Sequence, residues 1–192
     1  MKKFIVLKAF MALLIGFVSL SLVSCNNDNG PDIPPVKLQD VIGNYRAKLI
    51  TSQGNIKAEA AVNFTAKKDT IKFTDLPIKE IVKSVVKDPV KAEAALTAIG
   101  KVKYNLNYTA TINTNYNVLE LAFTPKVLTI QIPVDGTIKN TVVTFTAKEK
   151  GFYVRQDDGM KFGLVAEKIT VDGVVLTPYE VIKYDFPYCL KY

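Results

Sequence analysis

Residues 102–112 read VKYNLNYTATI, and this stretch decides the fold class. Apolar side chains occupy every second position, and lysine, asparagine and threonine occupy the positions between them. Successive side chains of a β-strand point to opposite faces, so a period of two predicts a strand with one buried and one solvated face. The stretch therefore indicates an antiparallel β protein whose sheet carries a core on one side.

Similar alternation recurs on both sides of this strand. It predicts further strands at about residues 41–49, 56–66, 71–73, 118–124, 127–132, 138–147, 151–155, 160–166, 169–176 and 182–192. Asp-Gly dipeptides at 135–136, 158–159 and 172–173 are typical of tight hairpin turns. We therefore predict a mainly β fold in which an antiparallel meander forms a barrel, with a two-sheet β-sandwich as the alternative.

A segment at about 77–99 departs from this period. Its apolar residues recur at the i, i+3, i+4, i+7 spacing of amphipathic helices, first at Ile78, Ile81, Val82 and Val85, then at Ala92, Ala95, Leu96 and Ile99. Asp88 and Pro89 suit the N-cap and first position of the second helix, and Gly100 suits its end. We predict a short helical insertion after the third strand.

Residues 1–24 have the layout of a secretory signal, because Lys2 and Lys3 precede a long apolar stretch. The stretch ends in Leu-Val-Ser directly before Cys25, which resembles the lipobox of bacterial lipoproteins. This resemblance implies cleavage before Cys25 and acylation of its sulfur. The alternative, an uncleaved transmembrane helix, is disfavoured by the polar run Asn-Asn-Asp-Asn-Gly-Pro at 26–31.

The chain thus divides into three predicted regions. Residues 1–24 form a signal peptide, and 25–37 form the lipidated cysteine with a flexible tether, because this proline- and asparagine-rich stretch cannot bury a core. Residues 38–192 have the length of a single β domain. The expected location is the cell envelope, where a lipid anchors the protein to the outer membrane. The sequence does not distinguish the periplasmic face of this membrane from the surface face.

Composition argues against catalysis and against nucleic acid. The chain has no histidine, which removes histidine-based nucleophile pairs and histidine-ligated metals. It has no glycine-rich phosphate loop, and its acidic residues fall mainly in turns or on polar strand faces. With Cys25 acylated, Cys189 has no disulfide partner and is expected to be a buried small residue. The net charge of +7 includes Lys2, Lys3 and Lys8 of the signal segment, and the mild lysine excess of the remaining chain is spread along the strands. We expect no enzyme activity, metal, cofactor or nucleic-acid partner.

Aromatic residues share the apolar faces of the predicted strands. The candidate ligand-binding set is Tyr45, Tyr104, Tyr108, Tyr184, Phe186 and Tyr188. Several tyrosines on one inner face indicate either a core with a polar seam or a cavity lined by aromatic rings. Both interpretations stay open at the level of sequence.

The stretch at 40–46, with Gly43 two positions before Tyr45, resembles the opening pattern of calycins, in which a glycine and an aromatic residue close one end of a lipocalin-like barrel. The whole layout also resembles small lipoproteins of Bacteroidota described as lipid-binding or calycin-like. These resemblances imply a membrane-anchored barrel that binds a small apolar or amphipathic ligand such as a lipid. The alternative is a structural or protein-binding surface module that has no ligand cavity and presents an exposed apolar patch or a free edge strand.

Overall fold

The computed structural model describes residues 34–192. The predicted signal peptide, the predicted lipidation of Cys25 and the tether up to residue 33 lie outside the described residues. Within 34–192, none of the helices has the length and apolarity needed to cross a membrane.

Residues 34–192 form eleven strands, and most of them match the alternating runs of the sequence; the runs at 160–166 and 169–176 are divided differently, into one long strand and one short strand. In chain order they are β1 (Gly43–Gln53), β2 (Ile56–Ala66), β3 (Thr70–Phe73), β4 (Tyr104–Asn113), β5 (Val118–Pro125), β6 (Leu128–Val134), β7 (Thr137–Thr146), β8 (Gly151–Val154), β9 (Gly159–Val171), β10 (Val174–Val175) and β11 (Ile182–Lys191).

Eight of these strands close into an antiparallel barrel. The hydrogen-bonded order is β11, β1, β2, β3, β4, β5, β8 and β9, and β9 pairs back onto β11. The long strand β9 also extends beyond the ring, where its second half pairs with β7 and β10. The predicted calycin-like barrel is therefore confirmed, and the alternative sandwich is wrong because the sheet closes on itself.

The helical insertion is confirmed as two helices, α1 (Lys79–Val85) and α2 (Pro89–Ile99). The Asp88 carboxylate accepts hydrogen bonds from the backbone N–H groups of Val90 and Lys91 at 2.8 and 3.0 Å. Gly100 ends α2 with a φ of 67°, a left-handed conformation that glycine adopts without a steric penalty.

The helices close one end of the barrel. Ile81 and Val82 of α1 are completely buried, and the Gln53 side chain at the end of β1 donates to the Ser84 hydroxyl at 2.9 Å. Burying large aliphatic side chains of this kind contributes about 1.5–3 kcal/mol each.

A 3₁₀ turn (Leu38–Val41) closes the opposite end. Val41 is 1% exposed, and the Tyr45 hydroxyl donates to its carbonyl oxygen at 2.7 Å. The Arg155 guanidinium pairs with the Asp40 carboxylate at 2.5 Å. Val36 is already buried, so the packed domain begins before residue 38, within the stretch predicted as tether.

The Gly43 position of the calycin-like pattern has a steric explanation. The Lys191 side chain crosses over it, and a Cβ at Gly43 would lie 2.5 Å from Lys191 Cε. The Lys191 ammonium then reaches the Asp40 carbonyl oxygen at 2.8 Å. Glycine therefore lets the last strand fasten the 3₁₀ turn to the barrel.

One sequence prediction about β11 is wrong. Simple alternation places Tyr188, Leu190 and Tyr192 on the inner face, but their side chains are 70%, 56% and 76% exposed. A β-bulge causes the inversion: Phe186 pairs with Phe162 and Cys189 pairs with Met160, so β11 carries one extra residue. Pro187 lies within this bulge and has no N–H group to donate to the ladder. Beyond it, every side chain changes face.

Candidate functional site

Most of the predicted ligand-binding residues lie inside the barrel, each no more than 4% exposed. They are Tyr45, Tyr104, Tyr108, Tyr184 and Phe186. Tyr188 is the exception, because the bulge in β11 turns it outward.

Three of these tyrosines tie loops to the barrel through their hydroxyl groups. Besides the bond from Tyr45 to the 3₁₀ turn, Tyr104 donates to the Lys126 carbonyl oxygen at 2.8 Å, and Tyr108 donates to the Lys67 carbonyl oxygen. Burial raises the pKa of Tyr104 and of Tyr108 to about 12. These hydroxyls are therefore neutral near pH 7, and their hydrogens are engaged in holding the fold.

Tyr184 differs from the other inner tyrosines. Its hydroxyl is buried and has no hydrogen-bond partner within residues 34–192. Its ring packs edge-on against Phe145 with centroids 5.8 Å apart. Burial raises the pKa of Tyr184 well above its usual range. A neutral hydroxyl without a partner is a cost to stability in an apolar core.

Aromatic rings fill the space between the barrel walls. Phe162 and Phe186 stack with centroids 4.4 Å apart, and Phe73 lies 5.7 Å from Phe186. Nearer the 3₁₀ turn, Tyr45 and Phe64 stack at 5.2 Å. Ring separations of this size are those of directly packed aromatic pairs. The inner aromatic residues therefore form the core of the barrel.

A shallow groove of about 810 Å³ lies on the outer surface, across β2, β1 and β11. We call it the tyrosine groove and define it by the lining residues Arg46, Lys48, Ala61, Tyr188, Leu190 and Tyr192. Strand pairing fixes its geometry, because outward side chains on neighbouring strands lie side by side. Lys48 pairs with both Ala61 and Tyr188, so one row reads Ala61–Lys48–Tyr188.

The neighbouring row of the tyrosine groove reads Asn63–Arg46–Leu190. Arg46 therefore stands between an amide and an aliphatic side chain, one row away from Tyr188. Ala61 is small, which lowers the floor of the groove between the longer side chains. The result is a surface that combines exposed rings, an aliphatic side chain and cations.

The cations of the tyrosine groove are not equivalent. Lys48 is paired with Glu59 at 2.9 Å, and the Lys191 ammonium at the edge of the groove is bonded to the Asp40 carbonyl oxygen. The Arg46 side chain is exposed and makes no hydrogen bond or ion pair with any residue in the described part of the chain. Its guanidinium is available to an acidic group from outside.

Sequence reasoning missed this groove, although Tyr188 was among the candidates. In the sequence, Arg46 has the pattern of an ordinary solvated residue. Alternation along β11 predicts that Leu190 and Tyr192 are buried. Pro187 was the available signal, because proline inside a strand marks a bulge or an edge. A bulge at that position predicts the outward turn of the last aromatic residues.

A second depression of about 490 Å³ also lies on the outer surface, and Lys148, Lys150, Lys161 and Lys183 contribute to its lining. The Lys161 ammonium stands 5.6 Å from the centroid of the Phe152 ring. Within residues 34–192, no cluster of three or more cysteine, aspartate or glutamate side chains is placed to hold a metal ion.

Comparison with known protein families gives a match over the barrel. The family described as a domain of unknown function (DUF4840) matches residues 40–171, which is more than half of the chain. The match begins at the 3₁₀ turn and ends with β9. No curated protein and no solved structure matches the chain.

Proposed function

Because the chain belongs to the DUF4840 family, whose description assigns no activity, we propose its function from the surface of the barrel. The protein is a non-enzymatic binding module of the cell envelope, anchored through a lipid on Cys25. It binds a protein partner in the tyrosine groove. The observation that carries this proposal is that Tyr188, Leu190 and Tyr192 all point outward from β11 and its end, next to Arg46 on β1.

The composition of the tyrosine groove supports a protein interface. Its two tyrosines and its leucine are more than half exposed and lie close together at the end of β11. A contiguous exposed apolar patch marks an interaction site more often than scattered apolar residues do. Tyrosine and arginine are also the residue types that dominate binding energy at protein interfaces.

Arg46 indicates the chemistry of the partner. A guanidinium group forms bidentate, charge-assisted hydrogen bonds with a carboxylate. Leu190 lies beside Arg46 on the neighbouring strand, and Tyr188 occupies the next row. We infer that the partner presents an aspartate or glutamate flanked by apolar side chains, which would rest on the rings.

The packed interior argues against the lumen ligand that the calycin resemblance implies. A lipid tail inside the barrel would have to displace the stacked pair Phe162 and Phe186 and open one of two closed ends. Loss of each large apolar contact would cost about 1.5–3 kcal/mol. The outer groove requires no such rearrangement.

Site-specific photocrosslinking in the native producing cells tests the proposal. A photoreactive phenylalanine analogue replaces Tyr188 in one variant and Tyr116 in a control variant, since Tyr116 is also strongly exposed, at 77%. We expect a discrete protein adduct from position 188 and none from position 116. Arg46→Glu should abolish the adduct, and Arg46→Lys should weaken it because lysine does not pair with a carboxylate in bidentate geometry.

Two results would contradict the proposal. One is the absence of any discrete adduct at position 188 under conditions in which the protein is anchored and folded. The other is an adduct at position 188 that Arg46→Glu leaves unchanged, because the groove chemistry would then not select the partner.

A further inference from the structure

The first half of β2 is an open edge of the sheet. β1 pairs with β2 along its whole length, but β3 pairs with β2 only at Phe64–Ala66. Residues 56–61 are all exposed. On the β3 side, this half of β2 therefore has no strand partner among the described residues. An unpaired edge is a template for another strand.

The ladder pattern shows which backbone groups point outward from this edge. The N–H group of Lys67, directly after β2, donates to the Thr70 carbonyl oxygen at 2.8 Å, so odd-numbered residues direct their backbone groups to the β3 side. Lys57, Glu59 and Ala61 share this direction. Their N–H and C=O groups are free to form a ladder with a new strand.

We propose that this edge pairs with the same edge of a second copy of the chain, antiparallel about a two-fold axis at Ala58. The two barrels would then share one continuous sheet through their β2 strands. Such an interface is isologous, because the same patch serves both subunits. The inference rests on the β2 edge and is independent of the proposed partner of the tyrosine groove.

The free backbone groups allow several registers, and the charges of Lys57 and Glu59 favour the one with its axis at Ala58. With the axis at Ala58, Lys57 lies opposite Glu59 of the second copy, and Glu59 lies opposite its Lys57. Opposite charges that face each other across an antiparallel pair stabilise it. A shift of the axis to Glu59 would place two glutamates face to face, and a shift to Ala60 would leave both charges without a counterpart. Glu59 also keeps its bond to Lys48, which lies on the same face.

On the opposite face of β2, the apolar side chains of the two copies would also fit together in this register. Ile56, Ala58 and Ala60 have their side chains on this face, and Ile56 is 60% exposed. In the dimer Ile56 would pack on Ala60 of the second copy, and the two Ala58 side chains would meet on the axis. Small residues there let the backbones approach without steric conflict. One face of the pair is therefore apolar and the other is ionic.

Charge variants test the proposal by sedimentation velocity of the full chain in a mild detergent. We expect the wild type to dimerise in a concentration-dependent manner. Lys57→Glu and Glu59→Lys should each weaken association about tenfold or more, because each puts like charges opposite one another twice. An equimolar mixture of the two variants should recover dimers, since each strand then faces opposite charges.

Cysteine crosslinking tests the register. Ala58→Cys should form an intermolecular disulfide on mild oxidation, because the two residues at position 58 face each other across the axis. Ala60→Cys is the matched control: two residues at position 60 would be about 13 Å apart along the strands, too far for a disulfide. The wild type provides the background from its own cysteines, of which Cys189 is completely buried.

The proposal is overturned if the wild type stays monomeric up to millimolar concentration. It is equally overturned if the charge variants dimerise as strongly as the wild type, because the contact would then use another surface. Circular dichroism of each variant separates loss of association from loss of folding.

Discussion

The side chains of Tyr188 and Cys189 lie on opposite sides of the barrel wall, with Tyr188 70% exposed and Cys189 completely buried. The bulge at Pro187 produces this arrangement, which is the reverse of the order that alternation from Ile182 would give. It moves an aromatic side chain from the core to the tyrosine groove and puts a small thiol on the inner face of β11, where Cys189 pairs with Ala47 of β1 and with Met160 of β9. Burial raises the pKa of the Cys189 thiol well above its usual range, so the thiol is not reactive in the folded protein.

A charged side chain should destabilise the protein far more at position 189 than at position 188. Cys189→Lys places an unpaired ammonium in the core and should lower the free energy of unfolding by more than about 3 kcal/mol. Tyr188→Lys changes only the outer surface and should cost less than about 1 kcal/mol. Urea denaturation followed by circular dichroism measures both. Equal losses at the two positions would contradict the bulge.

Removal of the hydroxyl group should lower the free energy of unfolding at Tyr45 and raise it at Tyr184. Tyr45→Phe breaks the bond to the Val41 carbonyl oxygen and should lower the free energy of unfolding by about 1–2 kcal/mol. Tyr184→Phe removes a buried hydroxyl that has no partner among the described residues, and should raise it by about 1 kcal/mol. Thermal or urea unfolding of the two variants provides the comparison. A loss at Tyr184 as large as that at Tyr45 would mean that its hydroxyl is bonded.

Buried tyrosines should make the protein sensitive to alkali. The pKa of Tyr104 and of Tyr108 is about 12 in the folded protein, and that of an unfolded tyrosine is about 10. Below pH 10 both states keep the protons. Between about pH 10 and 12 the unfolded state loses them first, so stability falls by up to about 1.4 kcal/mol per pH unit for each tyrosine.

Urea midpoints measured at increasing pH across that window test this linkage. Replacement of both Tyr104 and Tyr108 by phenylalanine should flatten the decline, even though the variant starts from lower stability. A slope that the double replacement leaves unchanged would assign the alkaline transition to other groups.

The proposed anchor has its own test. Cys25→Ala removes the sulfur that would carry the lipid, so the leader should remain uncleaved and the protein should carry no acyl chain. Intact mass measurement of the protein from producing cells reports both effects. Normal cleavage before position 25 in the alanine variant would argue against lipidation at Cys25.

Local patterns predicted much of the fold because strand alternation and helix caps act over a few residues. Tyr104, Leu106 and Tyr108 all point inward as their spacing indicates, and Asp88 caps its helix. Closure of the barrel depends on the pairing of β9 with β11, and the branching of β7 from β9 depends on strand length. Neither is encoded in a short window of sequence.

The candidate site was harder to predict, for two physical reasons. Alternation reports whether a side chain is buried but not whether a ligand or another ring fills the space beside it, so Tyr45 and Phe186 could not be assigned to core or cavity. In addition, a single extra residue in β11 reverses the face of every later side chain. Arg46 carries no distinguishing local signal, because its importance comes from Leu190 on a distant strand.

We propose that binding takes place on the outer face of the barrel, while its interior is a packed core. Denaturing extraction followed by mass spectrometry of small molecules, applied to residues 26–192 purified without detergent, tests it most directly. We predict that no apolar compound is released in stoichiometric amount. One lipid or similar molecule per barrel would contradict the account and return the binding site to the lumen.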